Sequence, residues 1–284
     1  MGLEQMILRS HDGELGPDAG VVSMLAAPLV TTPAPRPVVP AVARAAAALD
    51  VMASNGRRPV GLSELSRSLG CPKSSLANIL AELVKAGFVR RVESGFILGR
   101  RLAELGGVYL ASVDIVQEFQ IACTEVSAAA LETVQLSVLD GLEVVYLGRH
   151  DGRQPVRFME SAVGRKLPAT CTALGKASLA ALPPDELEAR LSGVTTLPRM
   201  TARSIQDPSD LRADLDEVRR RGYAIDNEET TTGVVCYAVA VPCDELQEEP
   251  YAVSVTILRG RATASLRRAL IRDLHELAMR LHRV

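Results

Sequence analysis

The stretch from Val60 to Arg91 constrains the fold of this 284-residue chain more than any other. Two short segments with helical apolar spacing lie on either side of a Gly-Cys-Pro break at 70–72. The apolar positions are Leu62, Leu65 and Leu69 in the first segment and Leu76, Ile79, Leu80 and Leu83 in the second. Each set follows one face of a 3.6-residue helix. The stretch therefore predicts two helices joined by a tight turn, a helix-turn-helix.

The flanking sequence extends this motif to a winged helix-turn-helix over residues 41–98. Before the motif, a further helical pattern begins at Ala41 and would end at Asn55-Gly56. After it, two short apolar runs surround a Glu-Ser-Gly turn at 93–95, which indicates a β-hairpin. Ser63 is expected to be the N-cap of the first helix of the motif. Residues 99–112 are expected to form a helix that links this domain to the rest of the chain.

The distribution of charge separates the two parts of the chain. Residues 41–112 hold ten Lys or Arg against five Asp or Glu, whereas residues 113–284 hold 20 basic against 25 acidic side chains. The net charge of the whole chain is only −2. A basic module joined to an acidic one is typical of a DNA-binding protein with a separate domain that does not touch DNA. A surface that is basic for some other reason is the alternative.

The second helix of the motif would present polar side chains on the face opposite its leucines. Lys and Ser near its N-terminus suit contacts with phosphate, and Asn can pair with adenine in the major groove. The candidate DNA-binding residues are Lys73, Ser74, Ser75 and Asn78 on this helix, Arg90 and Arg91 in the hairpin, Arg57 and Arg58 in the preceding loop, and Arg44 in the first helix. The alternative for each is a solvated position on a surface element.

Residues 113–284 predict an α+β domain with an antiparallel sheet, because hairpins rather than βαβ units dominate. The clearest hairpin joins apolar runs at 134–139 and 142–147 through Asp140-Gly141, which suits a type I′ turn. Asp207-Pro208 should begin a helix that Gly222 ends. Residues 1–40, with four prolines between Thr31 and Pro40, are expected to be a disordered leader.

Composition disfavours several other classes of protein. The five cysteines form no Cys-x-x-Cys pair, so we expect reduced thiols in a cytoplasm rather than disulfides or a zinc site. No apolar run reaches the roughly 18 residues that a membrane span needs. None of the four histidines lies in a sequence context typical of catalysis. We therefore expect no catalytic residue, no metal, no cofactor and no membrane partner.

Two stretches of the second half have a recognisable sequence. Residues 164–177 read GRKLPATCTALGKA, and residues 222–242 read GYAIDNEETTTGVVCYAVAVP. Together with LVKAGFVRR at 83–91 and LGRRLAELG at 98–106, they resemble the IclR family of bacterial transcriptional regulators over residues 41–284. The resemblance implies a winged helix that binds double-stranded operator DNA. It also implies a GAF-like domain at 113–284, with a curved antiparallel sheet, that binds a small organic effector, such as a carboxylate or aromatic acid, and forms a homodimer or tetramer.

The resemblance also implies which residues line the effector site. They are Val156, Leu167, Ala173 and Leu174 on one side and Asp226, Cys236, Ser254 and Thr256 on the other. Independently of the resemblance, Ser254 and Thr256 are two residues apart in a strand and so face the same side. A solvent-facing strand edge would explain the same pattern. Thr170 stands where family members often have His, so the identity of the effector does not transfer.

These observations favour a repressor whose affinity for its operator changes when the effector binds. An activator of the same family is one alternative. A GAF-like sensor or enzyme that uses its winged helix for protein contacts is another. DNA binding that falls steeply with salt would distinguish the regulators from the protein-contact alternative.

Overall fold

The computed structural model describes residues 38–125, 132–153, 155–156, 161–243 and 249–282. The first helix, α1, spans Pro40–Ser54 and is followed by α2 at Leu62–Ser68 and α3 at Lys73–Lys85. A hairpin of β1 (Val89–Val92) and β2 (Gly95–Leu98) comes next. The predicted winged helix-turn-helix is therefore confirmed. All but the end of the predicted leader lies outside the described residues.

A small apolar core holds these elements together. Ala48 and Met52 of α1 pack with Leu65 of α2 and with Leu76 and Leu80 of α3. The hairpin is joined to the helices because the backbone of Val60 forms a β-bridge to Phe96 of β2. Gly95 allows this close approach, since a Cβ atom there would lie 2.5 Å from the carbonyl oxygen of Val60.

The start of α2 differs from the prediction. The helix begins at Leu62 with Gly61 as its N-cap, and no side chain caps it, so the assignment of Ser63 as N-cap is wrong. Ser63 lies inside the first turn, where its hydroxyl cannot accept from the N–H groups that an N-cap serves. The helix is held by α3 and α1 rather than by its own cap.

Two helices lead from the hairpin into the second half. The first, α4, spans Arg101–Ala111 and buries none of its residues, and the second, α5, spans Asp114–Ala122. Leu105, Val108 and Tyr109 of α4 are exposed apolar side chains. Their spacing of three and four residues places them on one stripe of the helix. This stripe has no covering partner among the described residues.

A six-stranded antiparallel sheet forms the centre of the second half, which agrees with the predicted α+β class with a curved antiparallel sheet. Its strands in spatial order are β5 (Lys166–Pro168), β4 (Glu143–Asp151), β3 (Thr133–Asp140), β8 (Tyr251–Leu258), β7 (Val234–Ala240) and β6 (Ala224–Asn227). The remaining helices are α6 (Ala173–Ala181), α7 (Pro184–Leu191), α8 (Pro208–Arg221) and α9 (Ala264–Leu281), with a 3-10 turn at Arg259–Arg261.

Both faces of this sheet are covered. Helices α6, α7 and α8 pack with one face and enclose one apolar core, while α5 and α9 pack with the other face and enclose a second. Asp207 caps α8 and Gly222, at φ 79°, ends it, as predicted. None of the described helices is both long and apolar enough to cross a membrane.

The hairpin of β3 and β4 turns one residue later than predicted. Asp140 pairs with Glu143 across the ladder, so the turn residues are Gly141 and Leu142. Only Gly141 has a positive φ, of 62°, whereas a type I′ turn needs two such residues. The type I′ assignment is therefore wrong. A glycine at the first central position is the pattern of a type II′ turn, and Leu142 is buried in the core instead.

Gly175 allows α6 to pack directly on the chain that precedes it. A Cβ atom at this position would lie 2.2 Å from the Cα atom of Ala169, and backbone atoms cannot move aside as a flexible side chain can. We predict that Gly175→Ala lowers the free energy of unfolding by about 1–3 kcal/mol, which is the usual cost of overpacking a core. Urea denaturation checks this value.

The matched control is Gly107→Ala in α4, where nothing lies within 4 Å of the added atom. It should raise the free energy of unfolding by up to about 1 kcal/mol, because alanine favours a helix. Equal stability of the two variants would contradict the packing described here.

Candidate nucleic-acid interface and effector cavity

Helix α3 turns its polar side outward. Lys73, Ser74 and Asn78 are exposed and Ser75 is half-buried, while the leucines of the opposite face anchor the helix in the core. The structure thus brings these four candidates together on one helix. Their exposure leaves them able to enter a groove of DNA.

The N-terminus of α3 carries no side-chain cap. Pro72 occupies the N-cap position and offers no side-chain acceptor, so the N–H groups of the first turn have no partner from that residue. Free N–H groups and the positive end of the helix dipole attract anions. Lys73 and Ser74 lie in the same turn. This end of the helix is therefore suited to a DNA phosphate.

The arginine candidates differ in how free they are. Arg57, Arg90 and Arg91 are exposed, and Arg44 is half-buried on α1. Arg90 and Arg91 are neighbours on β1 and so point to opposite faces of the hairpin. The guanidinium of Arg58 donates to Glu64 at 2.5 and 3.3 Å and to Asn55 Oδ1 at 2.6 Å. Arg58 is thus paired within its own domain, and a DNA phosphate would compete with Glu64 for it.

A polar-lined cavity lies between the start of α6 and the face of the sheet that α6 covers. It is lined by Gln135, Tyr146, Ser161, Leu167, Thr172, Ala173, Leu174, Asp226, Thr230, Thr231, Val234, Cys236, Ser254 and Thr256. Seven of the eight predicted effector-site residues are in this lining. The free volume that a water-sized sphere can occupy is about 30 Å³, which is room for about two water molecules.

The exception is Val156, which does not line the cavity. Its side chain is buried, and its N–H and carbonyl groups bond to the Thr133 hydroxyl and the Arg149 guanidinium. These bonds fix its backbone beside β3 and β4 rather than against the cavity. The placement of Val156 in the cavity wall is therefore not supported by the structure.

Hydrogen bonds link the polar side chains on three strands of the cavity wall. The Thr256 hydroxyl donates to Gln135 Oε1 at 3.2 Å, and Gln135 Nε2 donates to the carbonyl of Ser161 at 3.2 Å. Cys236 Sγ lies 3.3 Å from the same Thr256 hydroxyl. The wall is therefore pre-ordered, and a ligand would meet groups that already hold fixed orientations.

Asp226 is the one acidic side chain in the lining, and it is almost fully buried. Burial raises its pKa, although N–H groups of Glu229 at 2.7 Å and Thr230 at 3.2 Å donate to its Oδ1 atom. These two bonds fold the loop between β6 and β7 over the cavity. Glu228 in this loop has φ 67°, a conformation that a residue other than glycine rarely adopts.

The cysteines near this cavity are not activated. Burial raises the pKa of Cys171 to about 11 and also raises the pKa of Cys236. A protonated thiol is a poor nucleophile. No group of three or more potential metal ligands occurs within the described residues. Neither thiol is therefore poised for nucleophilic attack.

Sequence reasoning missed seven of the lining residues. They are Gln135, Tyr146, Ser161, Thr172, Thr230, Thr231 and Val234. Gln135 carried a signal, because it is a large polar residue between Val134 and Leu136 in a mostly buried strand. The threonines of the β6–β7 loop carried none, since their position depends on how the loop folds around Asp226.

Both halves of the chain match known protein families. A family described as Bacterial transcriptional regulator IclR C-terminal matches residues 107–283, and the IclR helix-turn-helix domain matches residues 41–93. The two matches together cover both halves of the structure. The chain belongs to the IclR family.

Individual members of the IclR family are similar in sequence to this chain over most of its length. The HTH-type transcriptional regulator XynR of Escherichia coli is 34% identical over 209 residues, which cover 72% of this chain and 81% of XynR. The HTH-type transcriptional regulator KdgR of the same species is 36% identical over 186 residues, or 65% of this chain and 70% of KdgR. This IclR-family chain is accordingly a DNA-binding transcriptional regulator with a C-terminal ligand-binding domain.

Solved structures of the family share the whole architecture. A putative IclR transcriptional regulator from Silicibacter sp. TM1040 superposes with a TM-score of 0.74 at 28% identity, covering 86% of this chain and 95% of that one. An IclR homolog from Microbacterium hydrocarbonoxydans, complexed with 4-hydroxybenzoate, superposes with a TM-score of 0.67 at 25% identity, covering 86% and 98%. All of these relatives are named as transcriptional regulators or IclR homologs.

The raised pKa values of the buried thiols predict how this IclR-family chain reacts with iodoacetamide. At pH 8 about one Cys171 in a thousand would be a thiolate, and the side chain is also fully buried. Exposed Cys243 should therefore be alkylated long before Cys171 in the native protein. Peptide mass spectrometry after timed labelling measures both rates. Equal labelling of the two cysteines would contradict the buried, protonated state of Cys171.

Proposed function

We propose that the chain is a cytoplasmic repressor that binds operator DNA as a homodimer or tetramer and changes its operator affinity when a small organic acid occupies the cavity beside α6. The observation that carries the proposal is the polar-lined cavity in a domain that a helix, α4, joins to a winged helix with a free recognition surface. Such an arrangement places a ligand-binding site and a DNA-binding surface in separate domains of one chain.

At the output end, α3 would enter the major groove. Lys73, Ser74 and the free N–H groups of the first turn would hold a phosphate, and Asn78 would contact a base edge. Ser75 is half-buried, and its small side chain would let the DNA backbone come close to α3. Arg57, Arg90, Arg91 and Arg44 would add phosphate contacts around this centre, with Arg58 contributing only if its bond to Glu64 yields.

A second copy of the chain would cover the apolar stripe of α4. Leu105, Val108 and Tyr109 are exposed there, and Val42 of α1 is exposed as well. Exposed apolar side chains grouped in this way are typical of protein interfaces. A dimer formed through this surface would present two recognition helices to half-sites that are about one helical turn apart, or a multiple of it.

At the input end, the cavity favours a compact acid over a larger ligand. Its lining contains no Lys, Arg or His among the described residues, so a carboxylate would be held by hydroxyls and by the N–H groups of Ala173 and Leu174, which the Thr172 cap of α6 does not use. A relative's complex with 4-hydroxybenzoate supports an acid of about this kind. Because only about two waters fit now, the lining would have to open around the ligand.

The repressor assignment draws on two named relatives. HTH-type transcriptional repressor AllR of Klebsiella pneumoniae is 31% identical over 204 residues, and transcriptional repressor IclR of Escherichia coli is 30% identical over 207 residues. In a repressor that its effector releases from DNA, the effector must bind the DNA-free arrangement more tightly than the DNA-bound one. An activator that needs its ligand would show the opposite preference. A reporter gene controlled by the operator therefore shows whether the regulator lowers or raises transcription.

The DNA contacts of α3 predict different effects for its two lysines. Lys73→Ala at the N-terminus should weaken operator binding about equally for all sequences and reduce the slope of affinity against salt by about one. Lys85→Ala, at the other end of the same helix, is the matched control and should leave the salt slope unchanged. Fluorescence anisotropy on an operator selected from a random library measures both slopes.

Asn78→Ala should instead relax sequence preference, at a cost of about 1–3 kcal/mol in specific binding. The oligomer should be unchanged in all three variants. Binding by the wild-type protein that shows no salt dependence, or a larger effect of Lys85→Ala than of Lys73→Ala, would contradict the proposed DNA contact.

A further inference from the structure

A second and larger cavity lies at the edge of the sheet, where β6 meets α8 and the start of α9. The free volume that a water-sized sphere can occupy there is about 540 Å³. Ile225 and Asn227 of β6 face this cavity, whereas Asp226 between them faces the cavity beside α6. Since successive strand residues point to opposite faces, the two cavities lie on opposite sides of β6.

The floor of this cavity is a buried group of charges. Lys176 of α6 is 1% exposed, and its ammonium group donates to Glu229 Oε1 at 2.7 Å. The same ammonium lies 3.0 Å from Asp214 Oδ2 of α8, in an ion contact without hydrogen-bond geometry. A lysine this deeply buried is rare unless it is paired. Its two carboxylate partners are each left with unused hydrogen-bonding capacity.

Three polar atoms at this cavity are buried without a hydrogen-bond partner. They are Asp214 Oδ2, Arg221 Nη2 and Glu229 Oε2, and only the Ser137 and Ser178 hydroxyls share this property elsewhere in the described residues. Unsatisfied buried polar atoms are costly and therefore uncommon in native proteins. Arg221 Nη2 requires an acceptor, and Glu229 Oε2 requires a donor.

The rim of the cavity adds positive charge. Arg259 is paired with Glu228 at 2.8 Å, which leaves its guanidinium partly neutralised. Arg267 of α9 is exposed and forms no ion pair with any described residue. Arg221 donates from Nε to the carbonyl of Tyr223, and its Nη2 lies 3.9 Å from Asp214 Oδ1, too far for a hydrogen bond. Arg221 Nη2 and Arg267 are thus left to meet a ligand, and both favour an oxyanion because a planar guanidinium matches its geometry.

We propose that this cavity is a second ligand site, which binds a small oxyanion that also carries a hydrogen-bond donor, such as a hydroxycarboxylate or hydrogen phosphate. The oxyanion accepts hydrogen bonds from Arg221 and Arg267, and its hydroxyl group donates to Glu229 Oε2. The site is separate from the effector cavity. A ligand bound here would occupy the side of the β6–β7 loop opposite Thr230 and Thr231.

Isothermal titration of the full chain with four probes tests the proposal. Glycerate and inorganic phosphate have both the charge and the donor, acetate has only the charge, and glycerol has only donors. Glycerate or phosphate should bind at least about tenfold more tightly than acetate or glycerol, since each missing partner leaves a buried group unsatisfied. Binding of only one of the two identifies the anion class and supports the site.

A matched pair of variants locates the binding. Arg267→Gln should weaken the preferred probe about threefold to tenfold, whereas Arg268→Gln, the neighbouring exposed arginine outside the cavity lining, should have no effect. Arg221→Gln provides a second variant on α8. Thr256→Val, in the cavity beside α6, should leave the affinity for the probe unchanged.

Several results would overturn the proposal. One is that no probe binds at millimolar concentration, and another is that acetate binds as tightly as glycerate and phosphate. Equal weakening by Arg267→Gln and Arg268→Gln would show a diffuse charge effect instead of a site. Loss of binding in Thr256→Val with retention in Arg221→Gln and Arg267→Gln would place the probe in the other cavity.

Discussion

The second half of the structure depends on how polar groups are buried between α6 and the sheet. Eight consecutive residues of α6 are buried, including the charged Lys176, and the facing strands contribute Gln135, Asp226 and Thr256 to the same layer. Polar groups in such a place destabilise a fold unless they are hydrogen-bonded. Most of them are, through bonds that cross between strands and loops. The layer therefore has a fixed shape, and the space that remains in it is polar.

This constraint explains why both cavities share a wall. The loop between β6 and β7 is held on one side by Asp226, which bonds to its backbone, and on the other by Lys176, which bonds to Glu229. Thr230 and Thr231 face the cavity beside α6, and Glu229 faces the cavity at the sheet edge. A ligand on either side would contact the same short loop. The strained backbone of Glu228 fits a segment that the surrounding bonds hold in place.

The winged helix could be predicted from the sequence because its signals are local. The leucine spacing of α2 and α3 and the break at Gly70 lie within thirty residues, and the Asp207 cap and Gly222 stop of α8 are equally local. The N-cap of α2 lies two positions before the predicted Ser63, and the β3–β4 turn lies one position after the predicted Asp140-Gly141, since packing on neighbouring elements set the final register. The fold class needed only these local patterns and the hairpins.

The cavity could be predicted only in part. Ser254 and Thr256 alternate along a strand and therefore share one face, which the sequence alone indicates. The other predicted lining residues were implied only by the resemblance to the IclR family. Val156 does not line the cavity, because its backbone is held by Thr133, which lies 23 residues earlier in the chain, and by Arg149 of the neighbouring strand. Lys176 was overlooked for the same reason, since its partners Asp214 and Glu229 follow it by dozens of residues. Contacts of this kind are decided by the tertiary fold.

We propose that occupancy of the cavity beside α6 changes the affinity of α3 for DNA. The most direct test measures operator affinity by fluorescence anisotropy across a panel of small carboxylates, including 4-hydroxybenzoate, with calorimetry to show which acids bind. At least one acid that binds should lower operator affinity about 5- to 150-fold, and Ser254→Ala should weaken this response without changing operator affinity in the absence of the acid. Acids that bind in the cavity but leave operator affinity unchanged would contradict this coupling between the cavity and α3.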